Sequence, residues 1–165
     1  MVRILGLDPG LTKTGWGVID SDGARLKHVA NGTKLTTASL TVPERLVELD
    51  LCISDVIRNF QPHEAAVEII FMNVNADSTL KLAHARGVVS MVPARAQLPV
   101  AEYGAKHVKK SIVGSGNAAK DQVQMMVRRL LPSVKLESED AADALAVAIC
   151  HAHHRTFQVA TGTAL

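Results

Sequence analysis

Four carboxylates, Asp8, Glu68, Asp140 and Asp143, stand where acids are costly to hold. Asp8 ends the run Val2-Arg3-Ile4-Leu5-Gly6-Leu7, which reads as a buried strand, and Pro9-Gly10 after it cannot continue one. An ionised carboxylate there needs a cation or several hydrogen bonds, although Asp before Pro-Gly also caps turns through its own backbone. Glu68 is the one acid in Ala65-Ala66-Val67-Glu68-Ile69-Ile70-Phe71, too apolar for anything but a buried strand. A buried ion pair with Arg or Lys would satisfy it equally. Asp140 and Asp143, three residues apart, share a helix face beside the stripe Ala142, Leu145, Ala146 and Ile149. The helix dipole alone accounts for an acid at Asp140, in the first turn, more easily than at Asp143. Gathered together, the four acids suit divalent cations, because Mg²⁺ takes carboxylate oxygens and keeps several waters. Two such ions about 4 Å apart activate a water and steady the leaving oxygen of a phosphodiester. Acids without His or Cys among them select hard ions over zinc.

The elements that must position these acids follow from periodicity. Thr14 to Asp20 reads as a second strand, Ser21-Asp22-Gly23 as a hairpin turn and Arg25 to Lys34 as a third strand. Thr41-Val42-Pro43-Glu44 has capping-box spacing, and Leu46, Leu49, Ile53, Ile57 and Phe60 form a helical stripe that ends at Gln61-Pro62. A second helix is expected from the cap-forming residues Asn75 to Ser78, with Leu80, Ala83, Gly87 and Met91 as its stripe. Pro99 to Tyr103 reads as a fifth strand, followed by the basic positions Lys106, His107, Lys109 and Lys110 and the loop Gly114-Ser115-Gly116-Asn117. A further helix carries Val123, Met126, Val127 and Leu130 on one side, and the last, from Asp140 to Cys150, is apolar almost all round and so buried. The pattern predicts an α/β domain over residues 1–154, with 155–165 as a fraying tail. If strand 4 returns beside strand 1, the mixed sheet has order 3-2-1-4-5, and Asp8 and Glu68 lie on strands roughly 5 Å apart.

Composition limits the alternatives. The chain of 165 residues, 47% hydrophobic and 21% charged, suits one domain with one core. No apolar run approaches the ~18 residues of a membrane span, which predicts a cytoplasmic protein. Cys52 and Cys150 lack CxxC spacing and read as small core residues. A net charge of +2 does not announce nucleic acid. With the four acids set aside as metal ligands, 18 basic residues face 12 remaining acids, a balance of +6 able to meet phosphates.

Taken in order, Asp8-Pro9-Gly10, Thr14-Gly15-Trp16-Gly17, Glu68 with Phe71, Asn75-Ala76-Asp77-Ser78, Ala85-Arg86-Gly87-Val88 and Asp140-Ala141-Ala142-Asp143-Ala144-Leu145-Ala146 resemble the RuvC family of Holliday-junction resolvases over about residues 2 to 154. The resemblance implies a ribonuclease H-like fold and a homodimer gripping a four-way DNA junction. It further implies paired, symmetric Mg²⁺-dependent nicks in recombination and repair, with Mn²⁺ as a substitute ion and a branch-migration complex of the RuvA and RuvB type as partner. By position, Asp8, Glu68, Asp140 and Asp143 match the family's metal-binding catalytic acids. Phe71 matches an aromatic residue that stacks on bases near the junction centre, a role open to any exposed ring, although periodicity alone makes it a core residue at a strand end. Lys109 and Lys120 match basic positions near the scissile phosphate, where a cation stabilises developing charge.

Some features stand apart from the family pattern. Ile69 replaces a frequent polar residue, and Val74 stands where some members have a basic one, which leaves DNA contacts in that loop open. Arg86 and Lys81 are candidate contacts to DNA or to a partner subunit. Gly114-Ser115-Gly116 before a helix is a weak phosphate-binding pattern. His151, His153 and His154 read as residues that interact with the dipole at a helix end. Two other functions share parts of the pattern. One is a ribonuclease H-like nuclease acting on another nucleic acid, and the other an actin-like ATPase lobe, which needs a second strand-Asp-x-Gly that the chain lacks.

Overall fold

The computed structural model describes residues 1–69 and 76–161. Its elements run β1 (Val2–Asp8), β2 (Lys13–Ser21), β3 (Leu26–Leu35), α1 (Val42–Phe60), β4 (Glu64–Ile69), α2 (Ala76–Arg95), β5 (Val100–Gly104), α3 (Ala105–Val113), α4 (Lys120–Leu130) and α5 (Glu139–Thr161). The five strands form one mixed sheet in the order β3-β2-β1-β4-β5, as the pattern predicts. β2 is antiparallel to both β1 and β3, while β4 lies parallel to β1 and to β5.

Strand alternation splits the core into two layers. Ile4, Ile19 and Ala66 point to one face, where they pack with Leu145, Ile149 and the inner residues of α3 and α4. Leu5, Leu7, Val18, Ala65 and Val67 point to the other, against Ile53 and Val56 of α1 and Val89 and Val92 of α2. The same parity sends Asp8, which follows Ile4 and Gly6, to the α5 face. Glu64 and Glu68, flanking Ala66, point there too.

α5 lies unusually close to the sheet because glycine stands beneath it. A Cβ added at Gly6 would come within 2.1 Å of the Ala144 carbonyl oxygen, and one at Gly15 within 2.0 Å of that of Asp140. Both obstacles are backbone, so neither can yield. α1 begins as expected, with the Glu44 carboxylate accepting from the Thr41 amide at 2.8 Å and from its hydroxyl at 2.6 Å.

Four expectations need correction. α3 was not anticipated: it is a nine-residue, lysine-rich helix with only Val108 and Ile112 buried. On α2 the buried residues are Ala85, Val89, Val92 and Pro93, whereas Leu80, Ala83, Gly87 and Met91 are exposed. The residues predicted as a tail from Arg155 continue α5 through Thr161, and Arg155 is tied to Glu64 by an ion pair of 3.0 Å. Cys52 is half-buried, in contrast to the fully buried Cys150. No helix among the described residues is long and apolar enough to cross a membrane.

Candidate active site

The parallel register of β1 and β4 pairs Leu7 with Val67, so Asp8 and Glu68 follow side by side at the carboxyl ends of two central strands. Asp143 reaches the same place from the second turn of α5. These three acids line one cleft of about 300 Å³ together with Lys109 of α3, Lys120 at the start of α4, and the apolar walls Ala105, Val108, Val123 and Ala146. Asp140, one turn earlier, does not line the cleft. Its charge nonetheless contributes to raising the pKa values of both Asp8 and Asp143.

The acids oppose one another. Burial first, then the charges of Glu68 and Asp143, push the Asp8 carboxyl up to about 8, and Asp8 shares a hydrogen bond with Glu68. Burial likewise raises Glu68, although Asp8, Lys109 and Lys120 act in the opposite direction. Burial raises Asp143 against the pull of Lys120, whose ammonium is 3.5 Å from the Asp143 carboxylate. Lys120 is raised in turn, chiefly by the Asp143 charge.

The donor set suits a hard dication. All its ligating atoms are oxygens, and a bound cation would offset the burial and the repulsion that together lift Asp8. Among the described residues, no three acids, histidines or cysteines yet form a ready-made cage. Asp8 bonds Glu68, and Asp143 leans toward Lys120. An ion that retains most of its water requires only one or two of these carboxylates directly.

Periodicity did not reveal the residues that fix the start of α5. Asn31 of β3 donates to the Lys135 carbonyl at 2.9 Å and accepts from the Glu137 amide at 3.0 Å. Thr33 meets the Ser138 hydroxyl at 2.5 Å, and that hydroxyl accepts from the Ala141 amide at 3.0 Å. With Gly15 beneath Asp140, these contacts seat the helix turn that bears both aspartates. The alternation of Gly15 and Gly17 in a strand was the available signal, since strand glycine marks close backbone approach.

Several candidates fall elsewhere. Phe71 and Val74 lie outside the described residues. Arg86 pairs with Glu102 at 2.7 Å and Lys81 with Asp77 at 2.6 Å. Gly114 is the left-handed cap of α3, with φ of 87°, where a side chain would be strained. His151, His153 and His154 are not at a helix end, because α5 extends beyond them. His151 is instead buried, with Nδ1 2.8 Å from the Tyr103 hydroxyl and Nε2 2.8 Å from Glu64.

A ribonuclease H-like sheet with acids gathered at its central strand ends defines the class: a nuclease that hydrolyses phosphodiesters. The family model described as crossover junction endodeoxyribonuclease RuvC matches residues 4–151. The chain belongs to that family. It is 58% identical over 155 residues to the crossover junction endodeoxyribonuclease RuvC of Gluconobacter oxydans, covering 94% of this chain and 92% of that protein. It is 60% identical over 157 residues to the enzyme of the same name from Paramagnetospirillum magneticum, covering 95% of each chain. Among solved structures, Thermus thermophilus RuvC in complex with a Holliday junction substrate superposes with a TM-score of 0.89 at 31% identity, over 99% of this chain and 98% of that one.

Proposed function

We propose that this chain resolves four-way DNA junctions as a homodimer, each subunit making one of two symmetric nicks at the Asp8, Glu68, Asp140 and Asp143 site. The observation that carries this reading is the convergence of Asp8, Glu68 and Asp143 with two lysines in one cleft, in a chain of the RuvC family. Mg²⁺ is the proposed ion, with Mn²⁺ able to replace it; when bound, it would lower the pKa of a water and neutralise charge on the phosphate. Asp8 and Glu68, adjacent on rigid strands, would hold the ion through their carboxylate oxygens together with Asp143, and Asp140 would add negative potential. Any of these acids could orient the attacking water, so no separate general base is assigned. Lys109 and Lys120 attract the phosphate and stabilise the charge that grows on it as the bond to the leaving oxygen breaks. The lysines also hold DNA against an acidic floor that would otherwise repel it.

Phe71 is the proposed stacking residue at the junction centre, on the strength of its family position. A branch-migration complex of the RuvA and RuvB type is the proposed partner that presents junctions. The test is a cleavage assay of a mobile four-way junction with Mg²⁺, beside linear duplex and an RNA–DNA hybrid, with EDTA controls. Symmetric nicks in the junction alone are the expected result. Cleavage of the hybrid instead would retain the acidic site and overturn the substrate.

A further inference from the structure

The cleft described above occupies one flank of α3, whose Ala105, Val108 and Lys109 line it. On the opposite flank is a second, more open pocket of about 370 Å³, lined by His107, Lys110 and Ser111 of α3 and by His153 and His154 of α5. All five side chains can donate hydrogen bonds, and no carboxylate is among them. Each imidazole presents one N–H when neutral and two when protonated, the hydroxyl adds another and the ammonium three. His107 is stacked on Tyr103 with ring centroids 5.6 Å apart, and His154 packs against the same ring at 5.8 Å. Ser111 and His153 meet at 3.3 Å. The imidazoles are therefore held by packing, while Lys110 and His107 remain exposed. Tyr103 is anchored from behind by the buried His151.

The chemistry favours an anion over a metal. Lys110 brings a positive charge to the pocket, and its lining supplies no carboxylate to offset the charge of a cation. Several donor side chains around one open, acid-free pocket suit the oxygens of a phosphate instead.

We infer that this pocket is a second phosphate-binding site, which takes a backbone phosphate of the junction arm whose strand is cut. The inference rests on the junction reading given above. Asp143 and His154 are eleven residues apart on one helix, about 16 Å along its axis. Duplex phosphates advance about 3.4 Å per nucleotide, so an arm crossing α3 meets both flanks within about half a helical turn. Lys109 and Lys110, adjacent in sequence, then reach phosphates on either side of the same helix.

The test reverses charge at the two exposed positions, with His107→Glu and Lys110→Glu in the full chain, neither of which lines the acidic cleft. Junction binding is measured in EDTA over a range of salt, and cleavage is measured at saturating junction with Mg²⁺. The expected result is about tenfold weaker binding and a shallower dependence of log K on log salt by about one to two, with unchanged saturated cleavage rate. Unchanged affinity and salt slope, with wild type binding normally, would overturn the second site alone. Failure of wild type to bind junctions would instead overturn the reading on which it rests. Inorganic phosphate, titrated while the imidazole signals are followed by NMR, separates the sources. Shifts confined to these imidazoles, with the variant binding DNA as wild type does, would assign the pocket to a free anion and overturn the DNA contact.

Discussion

Glu64 and Glu68 lie four residues apart on β4, both facing α5, and the molecule treats them in opposite ways. Glu64 is matched from within: His151 approaches one carboxylate oxygen at 2.8 Å and Arg155 the other at 3.0 Å. Tyr103 completes the chain by meeting the second nitrogen of His151. Burial holds His151 below the usual imidazole range despite Glu64, so the neutral ring donates from Nε2 to Glu64 and accepts at Nδ1 from Tyr103. The Tyr103 hydroxyl, pushed up to about 12 mainly by burial, keeps its proton to give. Glu68 is matched poorly, by an acid that must retain its own proton and by two lysines reaching in from other elements. A buried acid with an internal base is architecture; a group of buried acids facing a cleft is waiting for a charge from outside.

Substitutions at the two ends of β4 separate these roles. Asp8→Asn should lower junction cleavage on the order of 10³-fold, matching the several kcal/mol that a bound ion contributes. Junction binding should persist, as a gel-shift titration would report, and an active variant would remove Asp8 from the chemistry. Glu64→Ala should instead leave cleavage at low temperature near wild type and cost about 3 kcal/mol in stability, since it strands Arg155 and His151. For a chain of this length that is a fall of roughly 10 °C in Tm. Lys120→Ala stands between the two, with cleavage reduced roughly tenfold to a hundredfold and little change in melting.

The pH dependence sharpens the contrast, because its signs are opposite. Asp8 binds its proton more tightly folded than unfolded, so in EDTA its contribution to stability declines as pH rises from about 4 toward 8. His151 binds its proton less tightly folded, so its contribution is complete above about pH 6.5 and lost as pH falls below that. Denaturant melts at several pH values should show the first slope removed by Asp8→Asn and the second by His151→Gln.

Much of this was legible in the sequence, because strands and acids leave local marks. The sheet order followed from three hairpin-spaced strands and one apolar run, and the strand ends placed Asp8 beside Glu68. The sequence was less informative where contacts are long-range. Leu80, Ala83, Gly87 and Met91 have helical spacing but the wrong face is buried, since spacing gives a stripe and not its direction. α3 escaped notice because two apolar residues in nine do not make a period. The cluster His151, His153 and His154 suggests a helix end in the sequence, whereas the partner that accounts for His151, Glu64, is 87 residues away. Asn31 looked like an ordinary strand polar residue, although it anchors the loop that precedes both aspartates. Asp140 matches the family's acids by position, yet its side chain stands back from the cleft that the other three share.

The most direct test of the central claim is thermal melting of wild type, Asp8→Asn and Glu64→Ala at pH 7.5, each in EDTA and in Mg²⁺. If the cluster is an unneutralised cation site, Asp8→Asn melts above wild type in EDTA because the cost of burying and protonating that carboxyl is removed, and gains less from Mg²⁺. Glu64→Ala melts below wild type in both and keeps the full Mg²⁺ increment. An Asp8→Asn variant that melts below wild type in EDTA and still gains the full increment would contradict the account, placing Asp8 with Glu64 among the structural acids.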